Sequence, residues 1–316
     1  MAGVRRREGA AVMSEVRRGK PPWPADNSET MVKEWLRARL QTLEPEEREG
    51  MARWLLEHVS GKSRGQRITE RHRWSESALD RLAVQADRLS EGEPIQHVLG
   101  EAWFDGLALA VSPKVLIPRP ETEELVVAMA KKVPEHGKDG LPPLVLDWCS
   151  GSGCIALSMK KRSPHAKVMG LEISQDAVEL ARGNAMRHGF DVTFEVQDLF
   201  GPTKGPRPVA SVVVSNPPYI PSAEAADMHP RVVDHEPHLA LFVPDDDALK
   251  FYRALWSWCL QGGLEEGGWL GMECHVDHAL NIGRIWTGMD GWQNVEILYD
   301  MQGQPRHALG QRSVSL

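Results

Sequence analysis

The sequence predicts an α/β fold, an open parallel sheet with helices on both faces, preceded by a small helical bundle and a β-hairpin. Three observations predict it. From residue 141 onward, short apolar strands alternate with helical segments. Before that, apolar residues recur at helical spacing from Val32 to Leu89. Between the two parts, Asp105–Gly106 lies between short extended runs, which is the signal of a tight hairpin turn.

Four segments follow from this reading. Residues 1–25 are Arg-rich, lack apolar periodicity and end in Pro-Pro-Trp-Pro, which predicts a disordered tail. An organelle-targeting segment is the alternative, and Glu8 and Glu15 count against it. Residues 26–92 form a helical domain. Asp26 and Glu29 resemble a capping pair ahead of Val32, Trp35, Leu36, Leu40 and Leu43. Pro45 suits the first turn of a second helix with Met51, Leu55 and Val59 on one face and Gly61 at its end. Leu79, Leu82, Ala86 and Leu89 mark a third, closed by Gly92. Trp35, Trp54 and Trp74 read as core or helix–helix contacts. Residues 93–120 form a connector containing the hairpin. It ends in an extended Leu116–Ile117–Pro118–Arg119–Pro120 run, fixed by its prolines before a helix that begins near Glu121.

Residues 121–316 carry the sheet. Strands are expected at Leu144–Leu146, Val168–Leu171, Val192–Val196 and Val209–Val214, with helices at Ile155–Lys161 and Ala177–His188 between the first three. Gly268–Glu273 and Val295–Tyr299 add two strands near the end.

Charge and cysteines narrow the function. The net charge is −7, yet residues 1–20 hold six basic and two acidic side chains. Beyond them stand 31 basic and 42 acidic residues, a net of −11. A body of that sign argues against a broad duplex-DNA surface. The four cysteines, Cys149, Cys154, Cys259 and Cys274, form no CxxC pair and suit a reducing cytosol. No run of about 18 apolar residues spans a membrane.

The first chemical signal is Asp147–Trp148–Cys149–Ser150–Gly151–Ser152–Gly153, between a strand and a helix. Glycines there let a ligand approach the backbone, and the helix amino terminus offers N–H donors. Glu172 ends the second strand, 19 residues after Gly153. An acid at that place binds a ribose hydroxyl pair in such sheets. Asp198 follows the third strand, where a carboxylate can accept an adenine amino group. The three features together predict an adenosine-containing ligand. Their spacing alone does not choose between a nicotinamide dinucleotide and a methyl donor.

Ser215–Asn216–Pro217–Pro218–Tyr219 makes that choice. An amide or aromatic amino nitrogen is a poor nucleophile because its lone pair is delocalised. Two acceptors can hold both its protons and aim the lone pair at a methyl group. Asn216 offers a side-chain carbonyl, and Pro217 a backbone carbonyl without a competing N–H. Pro218 keeps Pro217 extended. Tyr219 offers a flat face to a planar amide or base. Asn216, Pro217 and Tyr219 are therefore the expected catalytic residues, with Asn216 to Tyr219 binding the acceptor. Such a site works by positioning and electrostatics, with no metal.

Over about residues 30–310 the sequence resembles the release factor glutamine methyltransferases, the PrmC/HemK family. The resemblance rests on Gly100–Glu101–Ala102–Trp103–Phe104, Leu116 to Glu123, Asp147 to Gly153, and Asn216 to Tyr219. The Ile-Pro-Arg-Pro-Glu-Thr-Glu run is its most discriminating part. It implies a Rossmann-like class I methyltransferase domain that uses S-adenosylmethionine and releases S-adenosylhomocysteine. The implied acceptor is the glutamine of a Gly-Gly-Gln loop in peptide chain release factors. It also implies that Cys149, Ser150, Gly151, Ser152, Gly153, Glu172, Leu199 and Asn216 touch the cofactor. The family more often has glycine where this chain has Cys149, aspartate at Glu172 and an aromatic residue at Leu199. The expected enzyme is a cytoplasmic monomer without a stable nucleic-acid partner.

Other features carry less. His229, His235 and His238 share one loop, and His275 and His278 are three apart, but no cysteine or carboxylate completes a metal set. Cys154 is expected to pack in the helix after the glycine loop, and Glu273 to be a structural acid at a strand end. Two competing functions remain: adenine methylation in nucleic acid, which shares the Asn-Pro-Pro-Tyr logic, and non-catalytic adenosine binding. The first would need a basic recognition region and base flipping. The second sits badly with intact Asn216 and Tyr219.

Overall fold

The computed structural model describes residues 20–137, 140–203 and 205–314. The tail expected over residues 1–25 thus lies mostly outside the described residues. Its last part departs from that expectation: Pro22 accepts a hydrogen bond from Trp35 Nε1 (2.6 Å), and Trp23 stacks on the Trp35 ring. The aromatic pair and the buried indole donor hold this stretch against the first helix.

The chain divides into two compact units between Leu99 and Gly100. The first contains α1 (Glu29–Arg39), α2 (Pro45–Ser60), α3 (Arg64–Thr69), α4 (Glu76–Ser90) and α5 (Ile95–Leu99). Ser28, rather than Asp26, caps α1 by accepting from the Met31 N–H, while Asp26 accepts from the Ser28 N–H. Pro45 opens α2, and Gly61 closes it at φ +64°. Val32, Leu36, Leu55, Leu82 and Ala86 are among the residues of one apolar core. Trp35 and Trp74 join it, but Trp54 is 43% exposed and is not one of its buried residues. Trp74 precedes α4 and donates to Glu29, which also pairs with buried Arg67. The expected connector over 93–120 is not one piece, because α5 buries Ile95 and Val98 in this first core.

The second unit opens with β1 (Glu101–Phe104) and β2 (Leu107–Ala110), paired antiparallel. Asp105 and Gly106 both have positive φ, as a two-residue hairpin turn requires. Next come α6 (Pro120–Ala130), β3 (Leu144–Trp148), α7 (Cys154–Arg162), β4 (Lys167–Glu172), α8 (Gln175–His188), β5 (Val192–Val196) and β6 (Ala210–Ser215). Short elements follow: β7 (Ile220–Pro221), α9 (Pro230–Val233), α10 (His238–Leu241) and β8 (Phe242–Val243). The unit ends with α11 (Lys250–Trp258), β9 (Leu264–Glu273), α12 (Ala279–Thr287), β10 (Trp292–Tyr299) and β11 (Pro305–Arg312).

Seven strands form one sheet in the order β10-β11-β9-β6-β3-β4-β5. It is mostly parallel rather than wholly so, because β11 runs antiparallel to both its neighbours. β11 lacks the β-branched run that marks a strand from sequence. Its pairing partners on both sides hold it extended, and Ala308 and Leu309 pack in opposite layers. Alternate residues divide between the faces: Val145, Val212 and Val214 pack in the layer of α6, α7 and α8, and Leu146 and Val213 in that of α11 and α12. Trp256, Trp286 and Trp292 meet at 5.0–5.6 Å in the second layer, which accounts for part of the tryptophan content. Among the described residues, no helix is long and apolar enough to cross a membrane.

Candidate active site

β3 lies between β4 and β6, so successive strands leave it in opposite directions. A crevice forms at the carboxyl ends of strands where the order reverses in this way. A cavity of about 580 Å³ occupies it here. Cys149, Gly151, Glu172, Asp198, Leu199, Asn216 and Pro218 lie in its wall. Ser150 and Ser152 are buried behind the glycine loop. Gly153, Pro217 and Tyr219 likewise stand outside the wall.

Long-range contacts shape the glycine loop. Asp147 is fully buried and accepts the Ala156 N–H in the first turn of α7 (3.0 Å). Burial, with the nearby Glu172 charge, pushes its carboxyl well above the usual range, against the pull of that N–H. Cys149 has φ +61°, a left-handed conformation that costs a side-chain-bearing residue more than glycine. Burial raises the Cys149 thiol pKa, which disfavours the thiolate. Gly153 and Gly170 make room for the Phe194 ring, which a Cβ would meet at 2.8 Å and 2.4 Å. Asn184, deep in α8, ties the loop to the hairpin by donating to the Ser152 and Ala110 carbonyls and accepting from the Ala110 N–H.

Glu172 already has two backbone partners, the N–H groups of Gly151 (2.9 Å) and Ser174 (3.0 Å). Each oxygen keeps a lone pair for a ligand. Asp198 Oδ1 accepts from the Phe200 N–H. The two carboxylates thus stand at neighbouring strand ends, with Leu199 and Ile173 as apolar wall.

Asn216 follows β6, and its Nδ2 donates to Thr122 Oγ1 (3.1 Å). Its Oδ1 takes no hydrogen bond among the described residues. Thr122 donates in turn to Glu273 Oε2 (2.6 Å), and Tyr219 Oη donates to Glu273 Oε1 (3.1 Å). Burial raises the Glu273 carboxyl pKa, while the two hydroxyl donors oppose the rise. Burial and that neighbouring charge raise the Tyr219 hydroxyl pKa, keeping it a donor. Sequence reasoning missed Thr122 and left Glu273 without a chemical role. Thr122 stands in the Pro-Glu-Thr-Glu run, which marked the segment but not its partner. A further tie fixes the preceding residues: buried Glu236 accepts from the Ile117 N–H (2.9 Å) and pairs with Arg119 (2.5 Å).

Three of the histidines singled out in the sequence have local partners. His229 accepts the Arg231 N–H at the start of α9, His238 meets the Val233 carbonyl and His275 meets Glu224.

A mostly parallel sheet, a glycine loop after its central strand, acids at the next two strand ends and Asn-Pro-Pro-Tyr after β6 define a Rossmann-like class I methyltransferase. Residues 126–235 match the methyltransferase small domain and residues 32–100 the PrmC N-terminal domain. A release factor glutamine methyltransferase of Bacteroides thetaiotaomicron is 39% identical over 219 residues, covering 69% of this chain and 76% of that protein. That of Neisseria gonorrhoeae is 37% identical over 268 residues, covering 82% and 92%. The chain belongs to the release factor glutamine methyltransferase family.

Proposed function

We infer that this protein transfers a methyl group from S-adenosylmethionine to the side-chain amide nitrogen of the glutamine in the Gly-Gly-Gln loop of peptide chain release factors. The observation that carries the inference is the Asn216 side chain, which lines the cavity, is anchored through Nδ2 and keeps Oδ1 unpaired among the described residues.

The cavity suits the cofactor. Its volume lies in the ordinary range for small-molecule sites, and two carboxylates face apolar wall. Cys149, Gly151 and Asn216, in the cavity wall, would surround the methionine part, with Ser150, Ser152 and Gly153 shaping the loop that presents them. Glu172 would take the ribose hydroxyls, and Asp198 and Leu199 the adenine. S-adenosylmethionine supplies an electrophilic methyl group on a positively charged sulfur. The chain supplies orientation. Asn216 Oδ1 and the Pro217 carbonyl accept hydrogen bonds from the two amide N–H groups of the glutamine, leaving its nitrogen lone pair toward the methyl group. As the nitrogen–carbon bond forms and the sulfur–carbon bond breaks, sulfur keeps the bonding pair and the nitrogen releases one of its protons to water. Pro218 keeps Pro217 extended. Tyr219, held through its hydroxyl, offers its ring to the planar amide. The reaction needs no metal, and the acidic body suits a protein acceptor better than a nucleic acid. The same reading has the enzyme act as a monomer in the cytoplasm.

Two measurements test this. Glu172→Ala should weaken S-adenosylmethionine binding on the order of tenfold or more, since charge-assisted hydrogen bonds are lost. The loss includes the anchoring of Gly151. Calorimetry giving an unchanged dissociation constant for a folded variant would remove Glu172 from the cofactor site. For the acceptor, radiolabelled methyl transfer should appear on a purified release factor and vanish on its Gln→Ala loop variant. Equal labelling of both, or labelling of DNA alone, would sink the proposed function.

A further inference from the structure

We propose that Thr122 and Glu273 are positioning residues that decide which end of the Asn216 side chain faces the acceptor nitrogen; the proposal rests on the function inferred above. An asparagine amide has two ends of nearly equal shape and opposite hydrogen-bonding character. Only one orientation serves methyl transfer. With Oδ1 outward the side chain accepts a proton from the glutamine amide, and with Nδ2 outward two donors would face each other.

The direction is set from the buried end of a chain of hydrogen bonds. As a carboxylate, Glu273 only accepts. It lies at the end of β9, and two hydroxyls donate to it, Thr122 from α6 and Tyr219 from the segment after β6. A hydroxyl carries one proton, so Thr122, whose proton is engaged in the hydrogen bond to Glu273, offers Asn216 only lone pairs. Asn216 must then turn Nδ2 toward Thr122, which leaves Oδ1 free, and Asn216 lines the cavity. The inverted amide would set Oδ1 against the Thr122 oxygen with no proton between them. Thr122 and Glu273 are both buried, so water does not compete for either partner. Through Oε1 the same carboxylate fixes the Tyr219 hydroxyl, so one acid steadies both side chains that address the glutamine. Neither Thr122 nor Glu273 lies in the cavity wall, and each acts through another residue.

Thr122→Val keeps the shape and removes the hydroxyl, and Thr122→Ser keeps the hydroxyl. Single-turnover transfer to a release factor should fall about tenfold in Thr122→Val and stay within about twofold of wild type in Thr122→Ser. The S-adenosylmethionine dissociation constant should stay unchanged in both. In an Asn216→Ala background, Thr122→Val should cause no further loss, because Thr122 acts only through Asn216. Glu273→Leu frees the Thr122 proton and should lose at least as much as Thr122→Val. If that variant does not fold, the Thr122 series decides alone. A wild-type rate in Thr122→Val, equal losses in the valine and serine variants, or an undiminished loss in the Asn216→Ala background would each overturn the relay. A second readout needs no acceptor: Asn216 side-chain amide protons, assigned by their absence in Asn216→Asp, should exchange with solvent faster in Thr122→Val than in wild type or Thr122→Ser. Equal exchange in all three overturns the relay even if transfer is seen. The expected pattern in a protein that leaves release factors unlabelled would uphold the relay and reject the function.

Discussion

Asn216→Asp should slow single-turnover methyl transfer by about a hundredfold, the cost of a misplaced reacting group. Aspartate keeps the size of the side chain but loses the Nδ2 donor that reaches Thr122. A carboxylate oxygen would then face a Thr122 oxygen whose proton is already engaged by Glu273. The side chain must swing away or take up a proton, and either change misplaces the acceptor for the glutamine amide. Binding of the cofactor should stay within a few-fold, because the added negative charge lies near a positive sulfonium. Transfer and equilibrium S-adenosylmethionine binding are measured side by side, with folding checked by circular dichroism. A near-normal rate would show that Asn216 does not orient the acceptor, and the mechanism would have to be abandoned.

Phe194→Ala should cost about 3–5 kcal/mol of folding stability, as expected for removing a fully buried aromatic ring. Phe194 is 1% exposed and belongs to the layer of α6, α7 and α8. Its ring fills the space left by the missing Cβ atoms of Gly153 and Gly170. The hole would therefore open directly beneath the glycine loop, and cofactor affinity should fall with stability. Equilibrium urea unfolding measures the first effect and calorimetry the second. A stability loss below about 1 kcal/mol would mean that β4 and the loop collapse onto the vacancy at little cost. In the opposite direction, Gly170→Ala places a methyl group 2.4 Å from the ring and should be destabilising as well.

The two effects differ in how visible their causes are in the sequence. Asn216 announces itself, because Asn-Pro-Pro-Tyr after an apolar strand concentrates an amide acceptor, a free carbonyl and an aromatic ring in four residues. The glycine loop, Glu172 and Asp198 are legible for a related reason: each lies at or just after the end of a strand, and strand ends converge in a parallel sheet. Phe194 reads only as one apolar residue in a short strand. Its importance comes from two glycines at 24 and 41 residues' remove, brought against it by the packing of β4, β5 and the loop. Ser28 took the capping place expected of Asp26 because two residues decide which side chain reaches the free N–H groups.

Local chemistry in the sequence determined α1, α2 and α4, the alternation of strands and helices from β3 to β6, the hairpin at Asp105–Gly106, the prolines before α6 and the motif that selects amide methylation. Each depends on residues within one or two turns of one another, where backbone preference and hydrophobic period dominate. Tertiary structure alone decided the place of β11 between β9 and β10, the clamp of Asn184 on the hairpin, the tie of Glu236 to Arg119 and the chain from Glu273 through Thr122 to Asn216. Thr122 and Glu273 lie 151 residues apart. No sequence interval encodes their meeting. It arises because burial demands a partner for every polar group, and the folded sheet determines which partner stands within reach.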